Sequence, residues 1–221
     1  GFVNSHIHVT GDPLTRNYVP DDIHCPPTEK LTKWVLPRYE AHGPEDEKVS
    51  AQLAALEMLR SGATSFIEAG TVRYLDEVVE GVDSLGIRGR VGAWVGGRAY
   101  DASEDQAKLN REAIRQLEDE VARYPAGEDT RISAWPLLIG HSTNSDEVWL
   151  AAKQIADDKG LGISAHMSPY KDDPDWFLET YGRRPIEHLA DLGVLGDNVC
   201  LTHVAHIDES ERQLIADSGK N

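Results

Sequence analysis

The chain has 221 residues, 40% hydrophobic and 27% charged, with a formal net charge of −16. That balance suits one soluble globular domain with a sizeable core. It argues against a nucleic-acid partner, because phosphate recognition needs clustered Lys and Arg, and no apolar run approaches the roughly 18–20 residues of a membrane span. The acidic excess is read as a solubility property of the surface. Cys25 and Cys200 allow one disulfide, but Cys200 lies within Val199-Cys200-Leu201 and reads as a small core residue. A reducing, cytoplasmic setting is therefore expected. No secretory signal is visible, and the abrupt opening is read as the loss of an upstream segment.

The first element is a short apolar run, Gly1-Phe2-Val3-Asn4-Ser5-His6-Ile7-His8. On a strand, His6 and His8 share one face. Two imidazoles at that spacing can hold one metal ion. The long stretch from Thr10 to Pro44 contains His24, Cys25, Pro26-Pro27, Trp34 and Tyr39. It is either part of a binding wall or a docked surface loop. Residues 45–60 follow as a helix, with Val49, Leu53, Leu56 and Leu59 on its apolar face and Ser61-Gly62 closing it.

The same grammar then repeats. Strands are expected at 63–69, 88–95, 131–139, 161–166 and 199–203, and helices at 74–85, 104–124, 146–159, 185–192 and from Asp208 to near Gly219. Glu68, late in the second strand, is expected to face a substrate, with packing as its alternative. Trp94 and Trp135 lie within strands and are read as core before ring-stacking groups. His141, just past the fourth strand, is a candidate substrate contact. His166 and His203 end the fifth and sixth strands. One such histidine is ordinarily a packing residue, but three strand ends bearing histidine point to a metal. His206 either faces the same mouth or caps the turn.

Strict β-then-α alternation implies a parallel sheet. The turn after the first strand, His-Ile-His-Val-Thr-Gly-Asp-Pro, lacks a G-x-G-x-x-G nucleotide fingerprint. Histidines at the C-terminal ends of several strands suit a barrel. The expected fold is therefore α/β, a (β/α)8 TIM-type barrel. The chain supplies about six of its eight units as a single domain over 1–221, incomplete at the C-terminus and with open sheet edges.

G-F-V-N-S-H-I-H, S-A-H-M-S and L-T-H-V-A-H-I-D-E-S-E, with the run from Arg184 to Gly196, resemble the amidohydrolase superfamily. The branch they look like is that of cytosine and guanine deaminases and triazine hydrolases. The resemblance spans the whole chain. It implies that His6, His8 and His166 hold one divalent ion, zinc first and iron as the alternative, with an aspartate from an eighth strand. His203 becomes either the catalytic group that orients the attacking water or a further ligand. The implied reaction is metal-assisted hydrolysis at the C–N or C–Cl carbon of a small heterocycle. The expected partner is thus a small molecule, and a homo-oligomer stays open.

Two positions refine the resemblance. Residues 131–139 contain neither Lys nor Glu, where binuclear members bridge two ions, so one metal is expected. Pro169 stands where the deaminases carry a proton-shuttling Glu. Either Asp172, Asp173 or Asp175 replaces it, or the leaving group needs less acid help. Cleavage of amide, carbamate or urea bonds, and an inactive or purely binding chain, are the remaining readings.

Overall fold

A computed structural model describes residues 1–16, 18–20, 24–25 and 27–219. They form two compact units, Gly1–Trp94 with Ala126–Ser133, and Val95–Pro125 with Ala134–Asn221.

The first unit begins with β1 (Phe2–Ile7), followed in the long connection by α1 (Pro27–Lys30), a π-helical turn (Leu31–Val35) and α2 (Leu36–Glu40). Then come α3 (Pro44–Arg60), β2 (Ala63–Glu68), α4 (Leu75–Asp83) and β3 (Arg88–Val91), and the sheet order is β1-β2-β3-β4, with β4 at Ile132–Ala134. The pairing is parallel, with Phe2 opposite Ala63, Ile7 opposite Glu68 and Ser65 opposite Arg88. Pro44 starts α3 at a position where its missing N–H costs nothing.

The buried face of α3 differs from the one its leucines suggest. Val49, Leu53 and Leu56 are 38%, 38% and 44% exposed, while Ser50, Ala51, Ala54, Ala55 and Met58 are buried. The reason is close approach. A Cβ on Gly81 of α4 would lie 2.8 Å from the Lys48 carbonyl of α3, so these helices meet through small residues. Hydropathy alone favours the wrong face. Buried Glu47 accepts the backbone N–H groups of Arg73 and Tyr74 at 3.0 and 2.9 Å and so satisfies donors at the start of α4.

The second unit holds α5 (Gln106–Arg123), β5 (Leu137–Gly140), a 3-10 turn (His141–Thr143), α6 (Asp146–Lys159), β6 (Ile163–Met167), α7 (Asp173–Tyr181), α8 (Pro185–Asp191), β7 (Val199–His203) and α9 (Glu209–Ser218). Its sheet order is β5-β6-β7, again parallel, with Leu137 opposite Ser164 and Ile163 opposite Val199. Central β6 is buried along all five residues, as a parallel strand covered on both faces should be. Its core joins Leu117, Leu138, Trp149, Ile163, Met167, Ile186 and Leu189. Ser145 caps α6 through Val148, and Gly160 ends it in the left-handed region.

The expected strand over 131–139 is two strands, β4 and β5, parted at Trp135-Pro136. Proline has no N–H to give a ladder. Helix α7 was expected as loop; Pro174 sits in its first turn and Gly182 ends it. Cys25 and Cys200 are free thiols, each half-buried, and burial pushes the Cys200 thiol up. Trp135 is partly buried against the core of the second unit. Among the described residues no helix is long and apolar enough to cross a membrane.

The Arg184 run has a structural logic. Glu187 accepts the Arg184 N–H at 3.1 Å, and fully buried Glu211 accepts Arg184 Nε at 2.7 Å and the Ile186 N–H at 2.9 Å. One carboxylate thereby ties α8 to α9. Glu211→Ala is expected to lower the unfolding free energy by about 2–3 kcal/mol, because it strands the Ile186 N–H and removes the buried one of the two carboxylates on Arg184, leaving Asp208 at 3.0 Å. Urea denaturation measures this; a change within about 0.5 kcal/mol, the size expected of a neutral surface substitution, would show that the carboxylate does not hold α8 to α9.

Candidate functional site

In the first unit the strand-end histidines lie together. The His6 and His8 rings have centroids 5.1 Å apart at 82°. His8 Nδ1 lies 3.3 Å from Thr71 Oγ1. The Thr71 hydroxyl is 3.1 Å from Glu68 Oε1, and buried Thr10 donates to the Thr71 carbonyl at 3.0 Å or its hydroxyl at 3.1 Å. Ser50 donates to the Val9 carbonyl at 3.0 Å and anchors the chain just past His8.

Glu68, the candidate substrate contact of the second strand, lies against Thr71. It is 0% exposed and takes hydrogen bonds from the Gly70 N–H, the Thr71 N–H and the Thr71 hydroxyl. Burial raises its carboxyl to about 7 against the pull of those donors. Its carboxylate is buried among these donors.

The long connection approaches His8 through Tyr39, whose ring centroid lies 6.5 Å away. Tyr39 donates to Asp12 at 3.1 Å, and Arg38 pairs with the same carboxylate. A cavity of about 170 Å³ is lined by Ile7, His8, Asp12, Ala54 and Glu57, among others. Trp34 is 36% exposed and His24 is exposed. Pro26 lies outside the described residues.

In the second unit three histidines gather at the ends of β5, β6 and β7. The His166 ring stacks at 5.7 Å on His141 and at 5.4 Å on His203, and His141 stacks at 6.4 Å on Tyr170. His166 Nδ1 is 2.8 Å from the Ile139 carbonyl. A carbonyl only accepts, so Nδ1 carries the proton and Nε2 the lone pair. His141 Nδ1 is 2.8 Å from Asp173 Oδ2. Partial burial, then the neighbouring His141, hold His203 below the ordinary histidine range against Asp173. That favours the neutral ring.

The backbone at these ends is unusual. Non-glycine residues with positive φ are His141 (+51°), Ser168 (+49°), His203 (+76°) and Val204 (+42°). Each such conformation costs about 1–3 kcal/mol and such strain concentrates at functional sites. The β7 end is held by the Val204 N–H on the Met167 carbonyl at 2.9 Å and the Ala205 N–H on the Ser168 carbonyl at 3.1 Å. Gly140, φ +82°, has no room for a Cβ, which would fall 2.0 Å from the His166 carbonyl oxygen. Buried Asn144 accepts the Gly140 N–H at 2.9 Å and donates to the Val95 carbonyl at 3.0 Å.

Of the acids after β6, Asp172 and Asp175 are exposed and Asp173 is the one on His141. His206 is exposed; its carbonyl accepts Arg184 Nη2 at 3.0 Å and its N–H reaches the Ser168 carbonyl at 3.3 Å. Sequence reasoning missed Thr71, Asn144 and the strained turns. A lone threonine or asparagine carries no spacing, and nothing local marks Val204 for a left-handed backbone.

The donor set fits a divalent metal. Imidazoles whose Nδ1 is engaged by a carbonyl or hydroxyl, as in His166 and His8, present Nε2, the usual arrangement of metal-ligating histidines.

Comparison with known proteins gives a coherent picture. The model of the Amidohydrolase family matches residues 1–221. The chain is 28% identical over 220 residues to the 5-methylthioadenosine/S-adenosylhomocysteine deaminase of Caldanaerobacter subterraneus, covering 97% of this chain and 47% of that protein. It is 26% identical over 223 residues to the 5'-deoxyadenosine deaminase of Methanopyrus kandleri, covering 99% and 48%. Among solved structures, the zinc complex of atrazine chlorohydrolase TrzN from Arthrobacter aurescens matches with TM-score 0.84 and 22% identity, over 99% of this chain and 51% of that one. An adenosine deaminase from Xanthomonas campestris with bound zinc matches with TM-score 0.78 and 24% identity, over 99% and 47%. The chain thus has the α/β fold of TIM-barrel proteins of this kind and spans about half the length of the curated relatives it matches.

Proposed function

This chain belongs to the amidohydrolase family, and from that premise we propose that it forms one mononuclear, metal-dependent hydrolase domain. Its substrate is a small nitrogen-containing heterocycle, cleaved at a C–N or C–Cl carbon. His6, His8 and His166 would hold one divalent ion, zinc in first place. The observation that carries this reading is the His166 contact with the Ile139 carbonyl, which leaves Nε2 as a ligand atom. When bound, such an ion lowers the pKa of a water from about 15.7 toward 7 and polarises the bond under attack. Residues 131–139 offer no lysine or glutamate to bridge a second ion.

The chain's own groups divide the remaining work. His203, neutral and held by its strained turn, accepts a proton and orients the water. His141, its Nδ1 fixed by Asp173, presents Nε2 to the substrate. His206, exposed beyond β7, contacts the substrate at the rim. Pro169 has no titratable group, which favours a leaving group that needs little acid help, such as chloride, a thiolate or an activated amine. The two free thiols fit a reducing, cytoplasmic setting.

A substrate panel tests this. Ammonia or chloride release from aminated or chlorinated purines, pyrimidines and triazines is the expected result. Amine release from carbamates or ureas alone would establish the amide-type alternative. No turnover by protein carrying one ion per chain would favour a binding role.

A further inference from the structure

We propose that Glu68 and Thr71 are positioning residues that set the ring tautomer of His8 and hence its ability to bind metal. The inference rests on His8 being a ligand, as proposed above. Its basis is proton counting along three contacts. The Glu68 carboxylate has only acceptors. Gly70 N–H falls on Oε2, and Oε1 takes the Thr71 N–H at 3.4 Å together with the Thr71 hydroxyl proton at 3.1 Å. Thr71 Oγ1 then has lone pairs left, and His8 Nδ1 at 3.3 Å must be the donor. Nδ1 is protonated and Nε2 carries the lone pair.

The chain of bonds is built to hold that direction. Glu68, Thr71 and Thr10 are all buried, at 0%, 4% and 1% exposure, so water does not compete for the hydroxyl. Thr10 places its one proton on the Thr71 carbonyl or hydroxyl, and against its neutral oxygen the Glu68 carboxylate is the stronger acceptor for the Thr71 O–H. Glu68→Gln reverses the order. Its carbonyl oxygen keeps the Gly70 N–H while its amide donates to Thr71 Oγ1. The hydroxyl proton then turns to His8 Nδ1, and the ring proton moves to Nε2, where it blocks a metal.

The test is zinc affinity of the protein at pH 8.5, by competition with a chromophoric chelator, together with 15N chemical shifts of the His8 ring without metal. Glu68→Gln and Thr71→Val are each expected to weaken zinc binding about 10–100-fold, with Thr71→Ser near the parent. The His8 proton should sit on Nδ1 in the parent and on Nε2 in Glu68→Gln. Parental affinity and an unchanged tautomer in Glu68→Gln and Thr71→Val, in a protein that loses zinc on His8→Ala, would overturn the inference alone. Undiminished zinc binding by His8→Ala would overturn the metal site itself and the inference with it. Should Glu68→Gln not fold, the Thr71→Val and Thr71→Ser pair decides.

Discussion

His166→Ala is expected to strip the divalent ion from the protein and abolish turnover. His166 sits on the most buried strand of its sheet, with its Nδ1 held by the Ile139 carbonyl and rings stacked on both sides. A side chain so fixed has little freedom to lose on binding an ion. Loss of metal assistance worth several kcal/mol corresponds to a rate decrease of about 10³-fold or more. Metal analysis by mass spectrometry and turnover on the best substrate of the panel read both effects. Retention of one ion per chain at parental affinity would remove His166 from the ligand set. Because an alanine here leaves a void beside Gly140, thermal unfolding of the variant separates loss of metal from loss of fold.

His203→Asn is expected to leave the ion in place while slowing turnover about 10²–10⁴-fold, the range of a lost general acid or base. Asparagine is chosen because it tolerates the left-handed backbone that His203 adopts at φ +76°. The variant thus keeps the turn and deletes the imidazole. The proton-handling role proposed for His203 accords with a ring held below the ordinary histidine range by partial burial and the neighbouring His141. A pH profile that loses its acidic limb in the variant would agree. Unchanged turnover would exclude the role, and loss of the ion would make His203 a ligand.

The legible parts of this molecule are those governed by near neighbours in the chain. Ser145 and Gly160 bracket α6 as expected, since a cap is a contact between residues a few positions apart. The Val199–His203 strand is found at its expected bounds. The misread parts depend on what packs where. The leucines of α3 turn outward because the approach of α4 demands small residues. Residues 173–181 form a helix although their acids and Pro174 read as loop.

From the sequence by itself came the alternation of strands and helices, the histidines at strand ends and the family they announce. Spacing along a chain decides these, whatever lies opposite. The tertiary structure alone decided that Glu68 is sealed behind Thr71, that Asp173 belongs to His141, and that His203 and Val204 bear a left-handed backbone. Burial and hydrogen-bond partnership are set by the packing of the whole fold, so neither the sealing of Glu68 nor its bond to the Thr71 hydroxyl can be read from its place in a strand.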